Sequence, residues 1–183
     1  RDEGIWEVRG GPQHFTYSRL MSWIAFDRGI RIATARGFPC PLDAWRAARD
    51  TIFEQIMERG YSKTRRAFVQ VLDGEVLDAS TLMMVMGHFV APNDPLMRST
   101  IDAIRSELVN DSLVYRYDPA LAAADGLEGE EGTFSICSFW WVEALARAGN
   151  LEEARLSFEK MHTYANHLGL YSEEIGPSGE ALG

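Results

Sequence analysis

The hydrophobic positions of this chain predict six helices of two alternating kinds. The helices predicted over residues 13–36, 80–90 and 133–148 carry apolar side chains around most of their circumference. Those predicted over residues 42–59, 94–108 and 150–165 carry apolar side chains on one face, at the 3.6-residue spacing of an amphipathic helix. A helix that is apolar all round has protein on every side. The pattern therefore predicts an all-α fold in which three inner helices are each followed by an outer one.

The connecting segments alternate in length in the same way. Connections from an inner to an outer helix are short, whereas residues 60–79, 109–132 and 167–183 form long, polar and aromatic segments. The N-terminal stretch precedes the first inner helix and belongs to the same set. We therefore expect all four segments to meet at one rim, towards which the positive N-terminal ends of the inner helices point. Long loops at one end of a rigid scaffold are a common place for a functional site.

Two architectures fit three such helix pairs. One is an α-solenoid that binds other proteins, and the other is a closed helical toroid. The inner helices begin near residues 13, 80 and 133, and no residue pattern repeats between the pairs. This irregular spacing, with long loops on one side, favours the toroid.

Composition and charge narrow the function. The chain has 183 residues, of which 46% are hydrophobic, and a net charge of −9, which argues against nucleic acid or an anionic membrane surface as a partner. No segment approaches the ~18 consecutive apolar residues that span a bilayer, and the N-terminal residues do not resemble a signal peptide. Cys40 and Cys137 are expected to be free thiols in a reducing compartment, which predicts a cytoplasmic protein.

The N-terminal stretch carries residues that suit sugar chemistry. Glu7 lies directly after Trp6, with glycines on both sides of the pair. A carboxyl group beside an aromatic ring can stay protonated through desolvation, as a general acid requires, and an indole can stack on the apolar face of a pyranose. A second acidic loop lies at residues 170–176 and contains Glu173 and Glu174. A solvated acidic loop is the alternative interpretation of the N-terminal stretch.

Other candidate sites are weaker. His14, His88, His162 and His167 have neither the i, i+4 spacing nor the cysteine neighbours of a zinc site. Asp73, Glu75 and Asp78 contain no calcium-loop pattern, and a solvated turn at residues 72–76 explains that segment better. The sequence also contains no glycine-rich phosphate loop. We therefore expect no metal and no cofactor.

Five motifs in order resemble one enzyme family along essentially the whole chain. They are GIWE at residues 4–7, GPQHFT at 11–16, LDAST at 77–81, EGTF with CSFW between 131 and 140, and GLYSEE at 169–174. They resemble glycoside hydrolase family 15, which contains glucoamylases, glucodextranases and bacterial trehalases. The resemblance implies an (α/α)6 barrel of six inner and six outer helices. Residues 1–183 match a single segment, about the second half of that catalytic barrel, without the earlier helices or the N-terminal β-domain of bacterial members.

The resemblance also implies roles for individual residues. Glu7 matches the general acid that protonates the departing oxygen, and Glu173 matches the general base that activates water. Trp6 resembles a stacking neighbour, while Arg116 and Glu131 resemble ligands of sugar hydroxyls. Inversion requires two carboxyl groups ~6.5–9.5 Å apart, a gap that loops from different helix pairs can provide and adjacent residues cannot. A shift of one residue in the match to the family would assign the role of Glu173 to Glu174, or that of Glu131 to Glu130.

The sequence therefore predicts an inverting hydrolase of α-glucosidic bonds, glucoamylase-like or trehalase-like, acting on an α-glucoside or a short oligosaccharide. One alternative is a sugar phosphorylase on a related barrel, although a second carboxylate at Glu173 would repel phosphate. Another is a non-catalytic helical interaction module. The segment by itself is expected to be inactive and to self-associate, because its inner helix faces would lie open. The residues expected on those faces are Met21, Trp23, Met84, Phe139 and Trp140.

Overall fold

Helices dominate the secondary structure in the computed structural model of this chain, which describes residues 1–118 and 131–182. The helices are α1 (Thr16–Arg36), α2 (Leu42–Arg59), α3 (Met83–Met86), α4 (Pro95–Glu107), α5 (Ser135–Arg147) and α6 (Leu151–Met161). A 3-10 turn, Ala79–Leu82, leads into α3, and another, His162–Tyr164, follows α6. None of the helices in these described ranges combines the length and the hydropathy of a membrane-spanning segment.

Short antiparallel strands, which the sequence did not predict, join the long segments to one another. Strands β1 (Tyr61–Ser62) and β2 (Ala67–Phe68) form one hairpin, and β3 (Val109–Asn110) and β4 (Leu113–Val114) form another. Strands β5 (Thr133–Phe134), β6 (Glu174–Ile175) and β7 (Ala181–Leu182) form a three-stranded sheet with β6 in the centre. This sheet joins the C-terminal segment to the beginning of α5.

Five of the six predicted helices are present close to their predicted bounds, and the third is shorter than predicted. Residues 80–90 were expected to be helical, but only the 3-10 turn and the single turn of α3 form. The chain leaves the helix at Gly87, and His88 has a φ of 57°, in the left-handed region that a right-handed helix cannot include. The amide of Phe89 then donates to the carbonyl of Met84 at 2.9 Å, which closes the turn.

The helices pack as the alternating pattern predicts for the first and third pairs. Helix α1 packs against α2, and α5 packs against α6. Helix α3 packs against α5, and the 3-10 turn before α3 contacts α1, so that these elements form a continuous row. Helix α4 packs chiefly against β2, whereas the alternating pattern predicts that it packs against α3. One hydrophobic core joins the row, with Leu20, Met84 and Trp141 among its buried side chains.

The sequence predicts five exposed residues on the inner helix faces, and this prediction is wrong for two of them. Trp23 is 8% exposed and Met84 is fully buried, whereas Met21 is 40% exposed and Phe139 and Trp140 are half-buried. Trp23 is covered because its ring meets that of Phe89 edge-on, with 5.0 Å between the centroids. The apolar positions of α1 therefore divide into a buried stripe and an exposed side that includes Met21.

The two cysteines are free thiols, as predicted, and they differ in accessibility. Cys40 is partly exposed, whereas Cys137 is buried in α5. Burial raises the pKa of the Cys137 thiol well above its ordinary value, and the nearby negative charge of Asp78 adds to this effect. A buried neutral thiol reacts slowly with electrophiles.

We expect iodoacetamide at neutral pH to leave Cys137 unmodified in the native full-length protein and to alkylate it after unfolding in urea. Peptide mass spectrometry after both treatments measures the modified fraction. Alkylation of native Cys137 at the rate of an unfolded thiol would contradict the burial described here.

Candidate active site

The N-terminal stretch folds into a closed loop with Glu7 near its tip. The backbone groups of Asp2 and Gln13 exchange hydrogen bonds of 3.0 and 2.8 Å, which close the base of the loop. Gly4 has a φ of 71°, and a Cβ atom there would lie 2.9 Å from the ring of Phe15. Glu7 is exposed and has a φ of 50°. A non-glycine residue in this conformation stores strain of about 1–3 kcal/mol, which is typical of functional sites.

Trp6 connects this loop to three other parts of the chain. Its Nε1–H donates to both carboxylate oxygens of Asp78, at 3.1 and 3.0 Å. Its ring lies 5.8 Å from that of Phe134 and 6.0 Å from that of Trp140, measured between centroids. The Cζ atom of Arg116 lies 5.8 Å from the centroid of the Trp6 ring. The residue before Glu7 is therefore half-buried in an aromatic cluster.

Arg116 and Glu131 form a buried ion pair in the same cluster. The side chain of Arg116 is 8% exposed and that of Glu131 is 13% exposed. The Cζ atom of Arg116 also lies 4.8 Å from the centroid of the Tyr117 ring and 4.9 Å from that of Phe134. Since a buried charge is tolerated only with a partner, each member of the pair fixes the position of the other.

Glu173 directly precedes β6 in the C-terminal segment, and it lies beside the beginning of α5. Its carbonyl accepts a 3.0 Å hydrogen bond from the amide of Ser135, and its side chain is exposed. The Glu174 carboxylate instead accepts a 3.0 Å hydrogen bond from the amide of Gly132. The exposed carboxylate of Glu173 and the bound carboxylate of Glu174 therefore have different surroundings.

The predicted rim is confirmed within the described residues, because all four long segments meet there. Phe134 is the common element: its ring contacts Trp6, and its backbone pairs with Glu174 in the sheet. The amide of Ala79 donates to the carbonyl of Arg116 at 2.8 Å, which joins the second and third segments. Trp6, Arg116 and Glu131 thus form one cluster, with the Glu7 and Glu173 segments attached to it. The catalytic roles of Glu7 and Glu173, and the gap between their carboxyl groups, stay predictions.

In the sequence Asp78 was considered only as a cation ligand, and its position under the cluster was missed. It is 2% exposed and accepts hydrogen bonds from Trp6, from Gln70 Nε2 at 3.1 Å and from the amide of Ser80 at 2.7 Å. Burial raises the pKa of Asp78, and the hydrogen bonds from Ser80, Gln70 and Trp6 oppose that rise. The one sequence feature that could have indicated burial of Asp78 is its position between the apolar residues Leu77 and Ala79, directly before a helical turn.

The sequence also assigned Phe134 and Trp140 no part in the site: Phe134 was predicted as an apolar residue of the fifth helix, and Trp140 was expected on an open inner helix face. Glu130, the alternative to Glu131, lies outside the described residues. Within residues 1–118 and 131–182, no three His, Cys, Asp or Glu side chains gather as a metal site requires.

Comparisons with known proteins match the chain over most or all of its length. The model of the glycosyl hydrolases family 15 matches residues 1–164. A trehalase from Mycobacterium tuberculosis is 48% identical over 183 residues, which cover all of this chain and 27% of that protein. A trehalase from Thermoplasma volcanium is 38% identical over 186 residues, which cover all of this chain and 29% of that protein. The chain therefore spans less than a third of the length of these relatives.

Solved structures of glycosidases share the fold. One has a TM-score of 0.77 at 21% sequence identity, over 89% of this chain and 42% of that one. Another, solved in complex with glucose, has a TM-score of 0.77 at 20% identity, with the same coverage. The described helices are therefore part of an (α/α)6 barrel, as predicted.

Proposed function

This chain belongs to glycoside hydrolase family 15, and from that membership we propose that the complete protein hydrolyses α-glucosidic bonds with inversion. The observation that carries the proposal is the rim, where two loops with exposed glutamates attach to one aromatic cluster around a buried Arg116–Glu131 pair. The relatives that match the whole chain are named trehalases, which favours trehalose as the substrate over glucoamylase-type oligosaccharides.

In this proposal Glu7 is the general acid and Glu173 is the general base. Glu7 is itself exposed and directly follows the half-buried Trp6, whose ring packs against Phe134 and Trp140. Glu173 is favoured over Glu174, because the Glu174 carboxylate is engaged by the amide of Gly132 and supports the sheet. The exposed side chain of Glu173 remains available to a water molecule. Inversion sets the carboxyl gap at ~6.5–9.5 Å.

Trp6, Arg116 and Glu131 form the sugar-binding part of the proposed site. Recognition of hydroxyl groups requires donors and acceptors held in one geometry. The ion pair provides that rigidity, because both side chains are largely shielded from solvent and hold each other in place. Trp6 is fixed by its hydrogen bonds to Asp78 and offers an aromatic surface beside the acid.

We further propose that residues 1–183 form one segment of the catalytic barrel and that other parts of the same protein complete it. The segment covers 42% of the first glycosidase chain, which supports this division. Alone it would be inactive, and its exposed apolar residues, including Met21, Ile32 and Ile136, would favour self-association. Two free thiols fit the predicted cytoplasmic location.

Product analysis with the complete protein tests the proposed function. We expect glucose release from at least one of trehalose, maltose and isomaltose, with the attacked ring released as β-glucose in the first minutes of a proton NMR time course. Formation of a glucose phosphate in phosphate buffer would instead support the phosphorylase. Release of the attacked ring as α-glucose, or no turnover of any of the three sugars, would contradict an inverting hydrolase of this class.

A further inference from the structure

Asp78 binds N–H donors from three separate places in the chain. They are the indole of Trp6, the side-chain amide of Gln70 and the backbone amide of Ser80. A carboxylate only accepts hydrogen bonds, whereas an asparagine would direct its own NH2 group at one of these donors. Both carboxylate oxygens of Asp78 therefore serve as acceptors, although the residue is almost completely buried.

The structure assigns Asp78 as a positioning residue, which fixes the Trp6 indole and thereby the loop tip that carries Glu7. This inference rests on the proposed function, in which Glu7 is the general acid. Asp78 has no direct contact with Glu7 in this assignment and acts through the neighbouring residue.

Besides the ring contacts of Trp6, side-chain hydrogen bonds hold the N-terminal loop at its base and near its tip. At the base, Ser18 on α1 donates to the Asp2 carboxylate at 2.6 Å. Near the tip, the contact is that between Trp6 and Asp78, which are 72 residues apart in the sequence. Asp78 is itself fixed, since its carbonyl accepts from the amide of Thr81 at 3.1 Å and from the Thr81 hydroxyl at 2.8 Å.

This arrangement matters for proton transfer to the leaving group. A general acid must lie within hydrogen-bond reach of the departing oxygen, and a displacement of about 1 Å can cost about 10²-fold in rate. A substrate whose leaving group needs no proton, such as α-glucosyl fluoride, is much less sensitive to the position of the acid. Comparing this fluoride with trehalose therefore separates positioning of the acid from general damage.

The test is Asp78→Asn in the complete protein. We expect kcat for trehalose to fall by about 10–100-fold, while kcat for α-glucosyl fluoride and both KM values change by less than about threefold. The matched control is Asp27→Asn, since Asp27 is 4% exposed and is paired with Arg28 and Arg31. Asp27 lies eleven residues into α1, about 16 Å along the helix from the rim. The control is expected to change both substrates by the same small factor.

Trp6→Phe removes the donor of the same hydrogen bond. It provides the test if the Asp78→Asn variant does not fold. It retains an aromatic ring and removes the Nε1 donor. We expect a larger loss with trehalose than with the fluoride, on top of the loss of binding surface, which affects both substrates because Trp6 belongs to the proposed sugar-binding part. We expect the double variant to change the ratio of the two kcat values little more than either single variant does, because all three variants weaken the same hydrogen bond. Multiplied losses in the double variant would overturn the assignment.

Glu7→Gln is the reference that separates this inference from the proposed function. If Glu7→Gln spares the fluoride and Asp78→Asn reduces both substrates equally, Asp78 is merely structural and the inference fails alone. If Glu7→Gln reduces both substrates equally, Glu7 is not the acid, and the proposed function fails together with the inference. Selective loss in both variants supports both.

Discussion

Glu7→Gln in the complete protein is expected to lower kcat for trehalose by about 10²–10⁴-fold, the contribution of a positioned general acid, with little change in KM. Glutamine has the same shape as the glutamate and no acidic proton to give to the departing oxygen. Glu7 is exposed at a loop tip, so the substitution creates no cavity. Steady-state kinetics, with thermal unfolding of each variant, measure both effects.

The matched control for Glu7 is Glu3→Gln in the same loop. Glu3 is also exposed, and its backbone carbonyl accepts a 3.0 Å hydrogen bond from the amide of Val8, which the substitution retains. The control removes the same charge from the same loop, and we expect it to retain activity within about threefold, because surface charges have small effects. Equal activities of the two variants would show that Glu7 is not the acid.

Glu173→Gln is expected to lower kcat by a similar factor of about 10²–10⁴, because an amide cannot accept the proton of the attacking water. The reason for choosing this residue is its side chain, which is exposed while its carbonyl is bound to the amide of Ser135. The substitution leaves that backbone hydrogen bond in place. Single-turnover kinetics, with the enzyme in excess over the substrate and at a saturating concentration, measure the chemical step.

Glu174→Gln is the control that decides between the adjacent glutamates. The amide oxygen of glutamine can still accept from the amide of Gly132, so the sheet should be retained and activity should change by less than about threefold. If Glu174→Gln lost more activity than Glu173→Gln, the base would be Glu174.

Five of the six helices could be predicted from the spacing of apolar residues, whereas the length of α3 could not. Apolar spacing located α1, α2, α4, α5 and α6, because each buries one stripe or most of its surface. The end of α3 depends on the left-handed conformation of His88, and nothing in the apolar pattern indicates a non-glycine residue in that conformation. The burial of Trp23 also depends on a tertiary contact, with Phe89.

The residues of the candidate site that belong to sequence motifs could be predicted. The residue that joins the site only through contacts with distant parts of the chain could not. Trp6, Arg116 and Glu131 were chosen by resemblance to a family, and the structure brings them together. The position of Asp78 depends on a hydrogen bond to Trp6, and periodicity contains no information about such a distant pair. The sequence likewise offered no physical reason to prefer Glu173 over Glu174. That reason is a tertiary contact, the hydrogen bond from the amide of Gly132 to the Glu174 carboxylate.

The attachment of the two glutamate segments has a consequence for the order in which the chain acquires its structure. The N-terminal loop is fastened to residue 78, and residue 173 is fastened to residue 135, so both attachments join positions far apart along the polypeptide. Local helical hairpins such as α1–α2 and α5–α6 close early, whereas contacts between distant positions close late because they cost more chain entropy. Pulsed hydrogen exchange during refolding should therefore protect the amides in the middle of α1 and α5 before that of Ser135, which donates to the carbonyl of Glu173.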